Sequence, residues 1–125
     1  MEKERAFKKV LVVDDILYVV KSLAKVLRDE GYFVLTALSG TEALEKFSEH
    51  TPDAVTVDQR LPDMSGLQLA EKIISLSSGA PPRIIFISSV YDREEIAAIM
   101  KRGIDDYLMK PFTRAKLLET LGRLL

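Results

Sequence analysis

The sequence predicts a doubly wound α/β domain, a five-stranded parallel sheet with helices on both faces. Three observations predict it. Five short apolar runs alternate with longer segments of helical period. The runs are too apolar to face water on either side, so helices crossing over between them must cover both faces of a parallel sheet. The polar residues able to do chemistry gather where those runs end.

The elements follow in order. Val10-Leu11-Val12-Val13 is short, β-branched and ends abruptly at two acids, as a buried strand should. From Ile16 to Glu30, Leu17, Val20, Ala24 and Leu27 recur at three- and four-residue steps and form one helical stripe. Gly31 stands where a glycine would end that helix. Phe33 to Ala37 reads as the second strand. Ser39 and Glu42 have capping-box spacing for a helix running to about His50. Ala54 to Val57 is the third strand, Leu61 to Gly66 a loop, and Leu67 to Leu76 helical again. Gly79-Ala80-Pro81-Pro82 breaks the chain before Ile84-Ile85-Phe86-Ile87, the most apolar strand candidate. Asp92 and Glu95 repeat the capping signal, and Gly103 closes the helix they open. Tyr107-Leu108-Met109 is the fifth strand, and Thr113 caps a final helix to about Leu124.

A length of 125 residues fits one domain, taken as residues 1–125 with its core at about 9–124. With 47% hydrophobic and 30% charged residues the chain can build an ordinary core. A net charge of −1 offers no global attraction to nucleic acid or to an anionic membrane. The absence of cysteine excludes disulfides and thiolate metal sites. Met1-Glu2-Lys3-Glu4-Arg5 does not read as a signal peptide, and no apolar run approaches the ~20 residues that span a bilayer, so a cytoplasmic protein is expected.

In an open parallel sheet, sites form at the carboxyl ends of the strands. Those ends carry Asp14 and Asp15 after the first strand, Asp58 after the third, Ser88 and Ser89 after the fourth, and Lys110 after the fifth. With the strand order 2-1-3-4-5 they converge on one cleft. One acid after the first strand could simply cap a helix, but two adjacent acids cannot serve one cap. Asp58 could be a turn residue, Lys110 a solvated lysine and the serines ordinary strand-end residues. Their coincidence at four strand ends argues for a site. Clustered carboxylates repel one another, and a hard divalent cation such as Mg²⁺ relieves this. A carboxylate beside such a cation can attack phosphorus, with Lys110 and the Ser88 hydroxyl stabilising the transferred group.

These residues stand in Val10-Leu11-Val12-Val13-Asp14-Asp15, in the run from Val57 to Gly66, in Ile87-Ser88-Ser89, and in Tyr107-Leu108-Met109-Lys110-Pro111-Phe112. In this order and spacing they resemble the response-regulator receiver domain of two-component signalling, of the chemotaxis-regulator type, from about Lys9 to Leu124. The resemblance implies a flavodoxin-like fold and phosphoryl transfer to Asp58 from a histidine kinase or a histidine phosphotransfer domain. It implies Mg²⁺ held by Asp15, Asp58 and the backbone carbonyl of Arg60, with Asp14 acting partly through water. Ser88 matches the switch hydroxyl, Tyr107 the switch aromatic, Lys110 the phosphate-contacting lysine, and Lys110-Pro111 a cis peptide bond. Output would pass through the face made by the helix from Asp92, the strand at Tyr107 and the final helix. A phosphorylation-dependent homodimer is compatible with it; direct nucleic-acid or membrane binding is not expected.

The chain departs from the family pattern at three places. Ile16-Leu17 follows the acid pair where a further polar residue and a proline are frequent, Ser88 replaces threonine, and Arg60 occupies a variable position. The Arg60 guanidinium is expected within reach of the cleft, pairing with Asp14 or another acid before phosphorylation and covering phosphoryl oxygens after it. Other classes fit less well. A haloacid-dehalogenase-like phosphatase needs a second acid two residues after its nucleophile, where Arg60 stands. A flavodoxin-like cofactor binder needs a phosphate-cradling loop, where Asp14-Asp15 repels phosphate. A pseudo-receiver acting only as an interaction module remains, although no member of the acceptor set is missing. His50, the only histidine, reads as a helix-end surface residue. The chain to Leu125 fits either a stand-alone regulator or a receiver cut from a longer protein.

Overall fold

The computed structural model describes residues 8–90 and 92–125; the charged segment Met1 to Arg5, read above against a signal peptide, lies outside them. Strands β1 (Lys9–Val13), β2 (Phe33–Ala37), β3 (Ala54–Asp58), β4 (Arg83–Ser88) and β5 (Asp106–Met109) alternate with helices α1 (Leu17–Asp29), α2 (Gly40–His50), α3 (Gly66–Leu76), α4 (Arg93–Met100) and α5 (Arg114–Leu124). The sheet order is β2-β1-β3-β4-β5 and every pairing is parallel. The predicted architecture is the observed one. Among the described residues, no helix is long and apolar enough to cross a membrane.

Two cores follow from the two-residue period of a strand. Leu11, Val13, Val55, Val57, Ile84 and Phe86 face α2, α3 and α4, where Phe47, Leu69, Ile73 and Ile99 complete one cluster. Val10, Val12, Ala54, Ile85 and Ile87 face the other way, against Val20, Ala24, Leu27, Leu117 and Leu121 of α1 and α5. Burying a Leu or Ile side chain fully is worth about 1.5–3 kcal/mol, so these layers hold the strand ends in fixed register.

The caps confirm most boundaries. Ser39 Oγ accepts from the Glu42 amide, Asp92 from the Glu94 and Glu95 amides, and Thr113 from the Lys116 amide. Gly31 has φ 101°, the left-handed conformation expected after α1. Three details differ from the sequence reading. Glu42 reaches back to the Leu38 amide at 2.8 Å, one residue before the cap. The complete capping box is instead at Ser65 and Gln68. That box starts α3 at Gly66, where an added Cβ would strike the backbone oxygen of Asp58. Leu17 is 53% exposed rather than part of the buried stripe, because the first turn of α1 lies beyond the end of β1 and has no sheet beneath it.

Candidate functional site

Asp58 is the last residue of β3 and only 7% exposed. Its carboxylate is held at both oxygens. Lys110 Nζ donates to Oδ1 at 2.6 Å, and the Arg60 backbone N–H donates to Oδ2 at 3.2 Å. Lys110 follows β5 and its amide donates to the Ser88 carbonyl at 2.8 Å, which fixes the start of the side chain. The Lys110–Pro111 peptide is cis, as the resemblance implies. Burial alone would lower the lysine pKa, but the hydrogen bond to Asp58 and the charges of Asp58 and Asp14 outweigh it and hold the ammonium protonated.

Asp14 and Asp15 leave β1 in different surroundings. Asp14 is 3% exposed, accepts the Ile16 amide at 2.9 Å and lies 3.8 Å from Lys110 Nζ. Its burial pushes its pKa up; the Ile16 hydrogen bond opposes this, and the nearby Asp58 charge adds to it. Asp15 is exposed. Neither acid caps α1, whose N-cap is Ile16 without a side-chain bond; the structure removes the capping explanation for the pair. Asp14, Asp15 and Asp58 each offer an oxygen, and these oxygens lie within 4.8 Å of one another. Oxygens on opposite sides of an octahedral Mg²⁺ are about 4.2 Å apart. The donor set therefore fits a small hard cation with minor closure.

Ser88, at the end of β4, is 2% exposed. It donates to Gln59 Oε1, and its Oγ accepts the Val90 amide at 3.1 Å. The Val90 carbonyl in turn accepts Tyr107 Oη at 3.3 Å. Tyr107 is half-buried, and its ring centroid lies 5.9 Å from that of Phe86. The expected hydroxyl and aromatic are thus joined through one backbone residue.

The structure brings Asp14, Asp15, Asp58 and Lys110 together, with Ser88 at the end of β4 and Tyr107 within the neighbouring β5. It does not bring in the Arg60 side chain. Arg60 is exposed and has no ion pair among the described residues, so the expected contact with Asp14 or another acid is corrected. The reason is local. The Arg60 amide turns toward Asp58 while the residue bridges to Ser65 across the loop, and the side chain is left toward solvent.

Two participants were not anticipated. Asp63 accepts the Gly40 and Thr41 amides and ties the loop after β3 to the start of α2, a contact across 22 or 23 residues with no local signature. Gln59 had a usable signal. Alternation through Val55 and Val57 places it on their face, and the register of Asp58 with Ile87 sets the next residues, Gln59 and Ser88, opposite one another.

The family model of the response regulator receiver domain matches residues 10–122. The chain belongs to the response regulator receiver family. It is 35% identical over 120 residues to the chemotaxis protein CheY of Treponema pallidum, covering 94% of this chain and 82% of that one. It is 38% identical over 118 residues to the transcriptional regulatory protein PrrA of Mycobacterium tuberculosis, covering 94% of this chain but 49% of that one. A chain of the CheX–CheY–BeF3–Mg²⁺ complex from Borrelia burgdorferi superposes with a TM-score of 0.86 at 30% identity, covering 94% of this chain and 88% of that one. This receiver domain is a signalling switch based on aspartate phosphorylation, promoting its own phosphotransfer rather than turning over a substrate.

Proposed function

We propose that Asp58 accepts the phosphoryl group. The observation that carries this is the contact of Lys110 with Asp58, made among three carboxylates gathered for a cation. An Asp58 oxygen attacks phosphorus, the bond from phosphorus to the donor's imidazole nitrogen breaks, and the imidazole takes up a proton as it leaves. A histidine kinase or a histidine phosphotransfer protein supplies that donor. Mg²⁺, when held by Asp15, Asp58 and the Arg60 carbonyl with Asp14 behind them, supplies charge neutralisation for the phosphoryl oxygens. Lys110 keeps one positive charge on the acceptor throughout, and the Ser88 hydroxyl, once it leaves Gln59, can donate to a phosphoryl oxygen.

The domain acts as one unit over residues 1–125. Movement of Ser88 toward the phosphoryl group releases Val90 and lets Tyr107 turn inward, which alters the face of α4, β5 and α5. That face meets the output partner, a second copy of the chain included; nucleic acid and membrane are not its direct ligands. Incubation with acetyl phosphate and Mg²⁺ should place one phosphoryl group on the wild type and none on Asp58→Asn by intact mass. Equal labelling of both would reject Asp58 as the acceptor.

A further inference from the structure

We propose that Gln59 is a positioning residue that holds the switch hydroxyl in its resting state, so that phosphorylation must take Ser88 from Gln59 before it can signal. This rests on Asp58 being the acceptor. A serine hydroxyl has one hydrogen to donate. Here that hydrogen goes to Gln59 Oε1, while the acceptor side of Oγ is taken by the Val90 amide. A phosphoryl oxygen on Asp58 and the Gln59 carbonyl oxygen therefore compete for the same hydrogen.

The competitor is well held. The Gln59 amide donates to the Ile87 carbonyl at 3.0 Å, and the Gln59 carbonyl accepts the Gly66 amide at 2.8 Å. Both backbone groups are thus fixed, one to β4 and one to the first turn of α3. With the backbone fixed there, the side chain reaches Ser88 across the strand pair. It also has somewhere to go. Gln59 lines a cleft of about 320 Å³ between α3 and α4, with Leu67, Phe86 and Ile99 among its walls. When Ser88 turns to the phosphoryl group, the freed amide can swing into that cleft. The consequence is a bias toward the resting state. A residue without an acceptor at this position leaves the hydroxyl uncommitted and shifts the equilibrium toward the signalling arrangement.

The test uses beryllofluoride with Mg²⁺ as the phosphoryl mimic on the full chain. Gln59→Leu keeps the bulk and removes the acceptor, and Gln59→Asn retracts it by one methylene; circular dichroism checks that each is folded. Either folded variant should bind the mimic about fivefold more tightly than the wild type, the factor set by one net hydrogen bond. The gain should vanish when the same change is made in Ser88→Ala, which a merely structural role for Gln59 would not produce. In the wild type, the Gln59 side-chain amide resonances should move on addition of the mimic, and in Ser88→Ala they should stay. Unchanged affinity, or a gain that persists without the serine hydroxyl, overturns the proposal while leaving Asp58 as acceptor. Failure of the wild type itself to bind the mimic overturns both.

Discussion

The carboxylate of Asp63 holds Thr41 at two points, taking its amide at 2.8 Å and its hydroxyl at 2.6 Å. Its other oxygen takes the Gly40 amide at 2.8 Å. The loop that leaves Asp58 is thereby fastened to the N-terminus of α2, where a negative charge is favoured. These hydrogen bonds, that of the Thr41 hydroxyl first, lower the Asp63 pKa from its ordinary 3.8 to about 2. A carboxylate depressed by folding contributes stability above its unfolded value and loses it as pH falls through the folded one. The window here runs from about pH 4 down to about pH 2. Asp63→Asn should flatten the acid limb of stability in that window. Urea unfolding of both proteins from pH 5 to pH 2 measures it, and parallel curves would show that the contact has no thermodynamic weight.

Thr56 gives a prediction of opposite sign. It is 1% exposed in the middle of β3, and its hydroxyl has no hydrogen-bond partner among the described residues. A buried, unpaired hydroxyl is destabilising, so replacing it with a methyl group of the same shape should help. Thr56→Val should raise stability by about 1 kcal/mol, seen as a higher denaturant midpoint at unchanged slope. A lower midpoint would mean that a buried water serves the hydroxyl.

What could be read from the sequence divides along physical lines. Strand and helix periods are local, and so were the caps at Ser39, Asp92 and Thr113. The convergence of Asp14, Asp58 and Lys110 followed from the strand order alone, because parallel strands put all their carboxyl ends at one edge. Side-chain directions beyond those ends did not follow. Leu17 fits the stripe of α1 by period but overhangs the sheet. Arg60 is two residues from Asp58, yet its loop turns the backbone rather than the guanidinium inward. Asp63 and Thr41 meet only because two loops pack together, which no spacing rule encodes.

Lys110 separates electrostatics from packing. Its ammonium stands 2.6 Å from Asp58 and 3.8 Å from Asp14, and Lys110→Met leaves those acids facing each other. Because the lysine side chain is 37% exposed, solvent screens the pair, and a loss on the order of 1 kcal/mol without divalent cation is expected. Added Mg²⁺ should recover more stability in the variant than in the wild type, since no ammonium competes for the carboxylates. Thermal unfolding with and without Mg²⁺ tests this. A smaller Mg²⁺ response in the variant would contradict it.

Arg60 supplies the last prediction, altered by where the structure puts it. The exposed guanidinium forms no ion pair among the described residues, so Arg60→Ala should leave the stability of the unphosphorylated domain within about 0.5 kcal/mol. Its amide, which reaches Asp58 at 3.2 Å, is unaffected by the change. If Asp58 is the acceptor, as proposed, phosphorylation places a dianion two residues away, and an arginine without an ion pair among the described residues can offer it two parallel hydrogen bonds. In that pose the side chain also stands in the path of a water attacking phosphorus. The alanine variant should therefore lose phosphate several-fold faster, a barrier difference of about 1 kcal/mol, with unchanged labelling at saturation. The decay of label after removal of acetyl phosphate, at fixed Mg²⁺, measures the difference. Equal lifetimes with equal stability would confine Arg60 to its backbone.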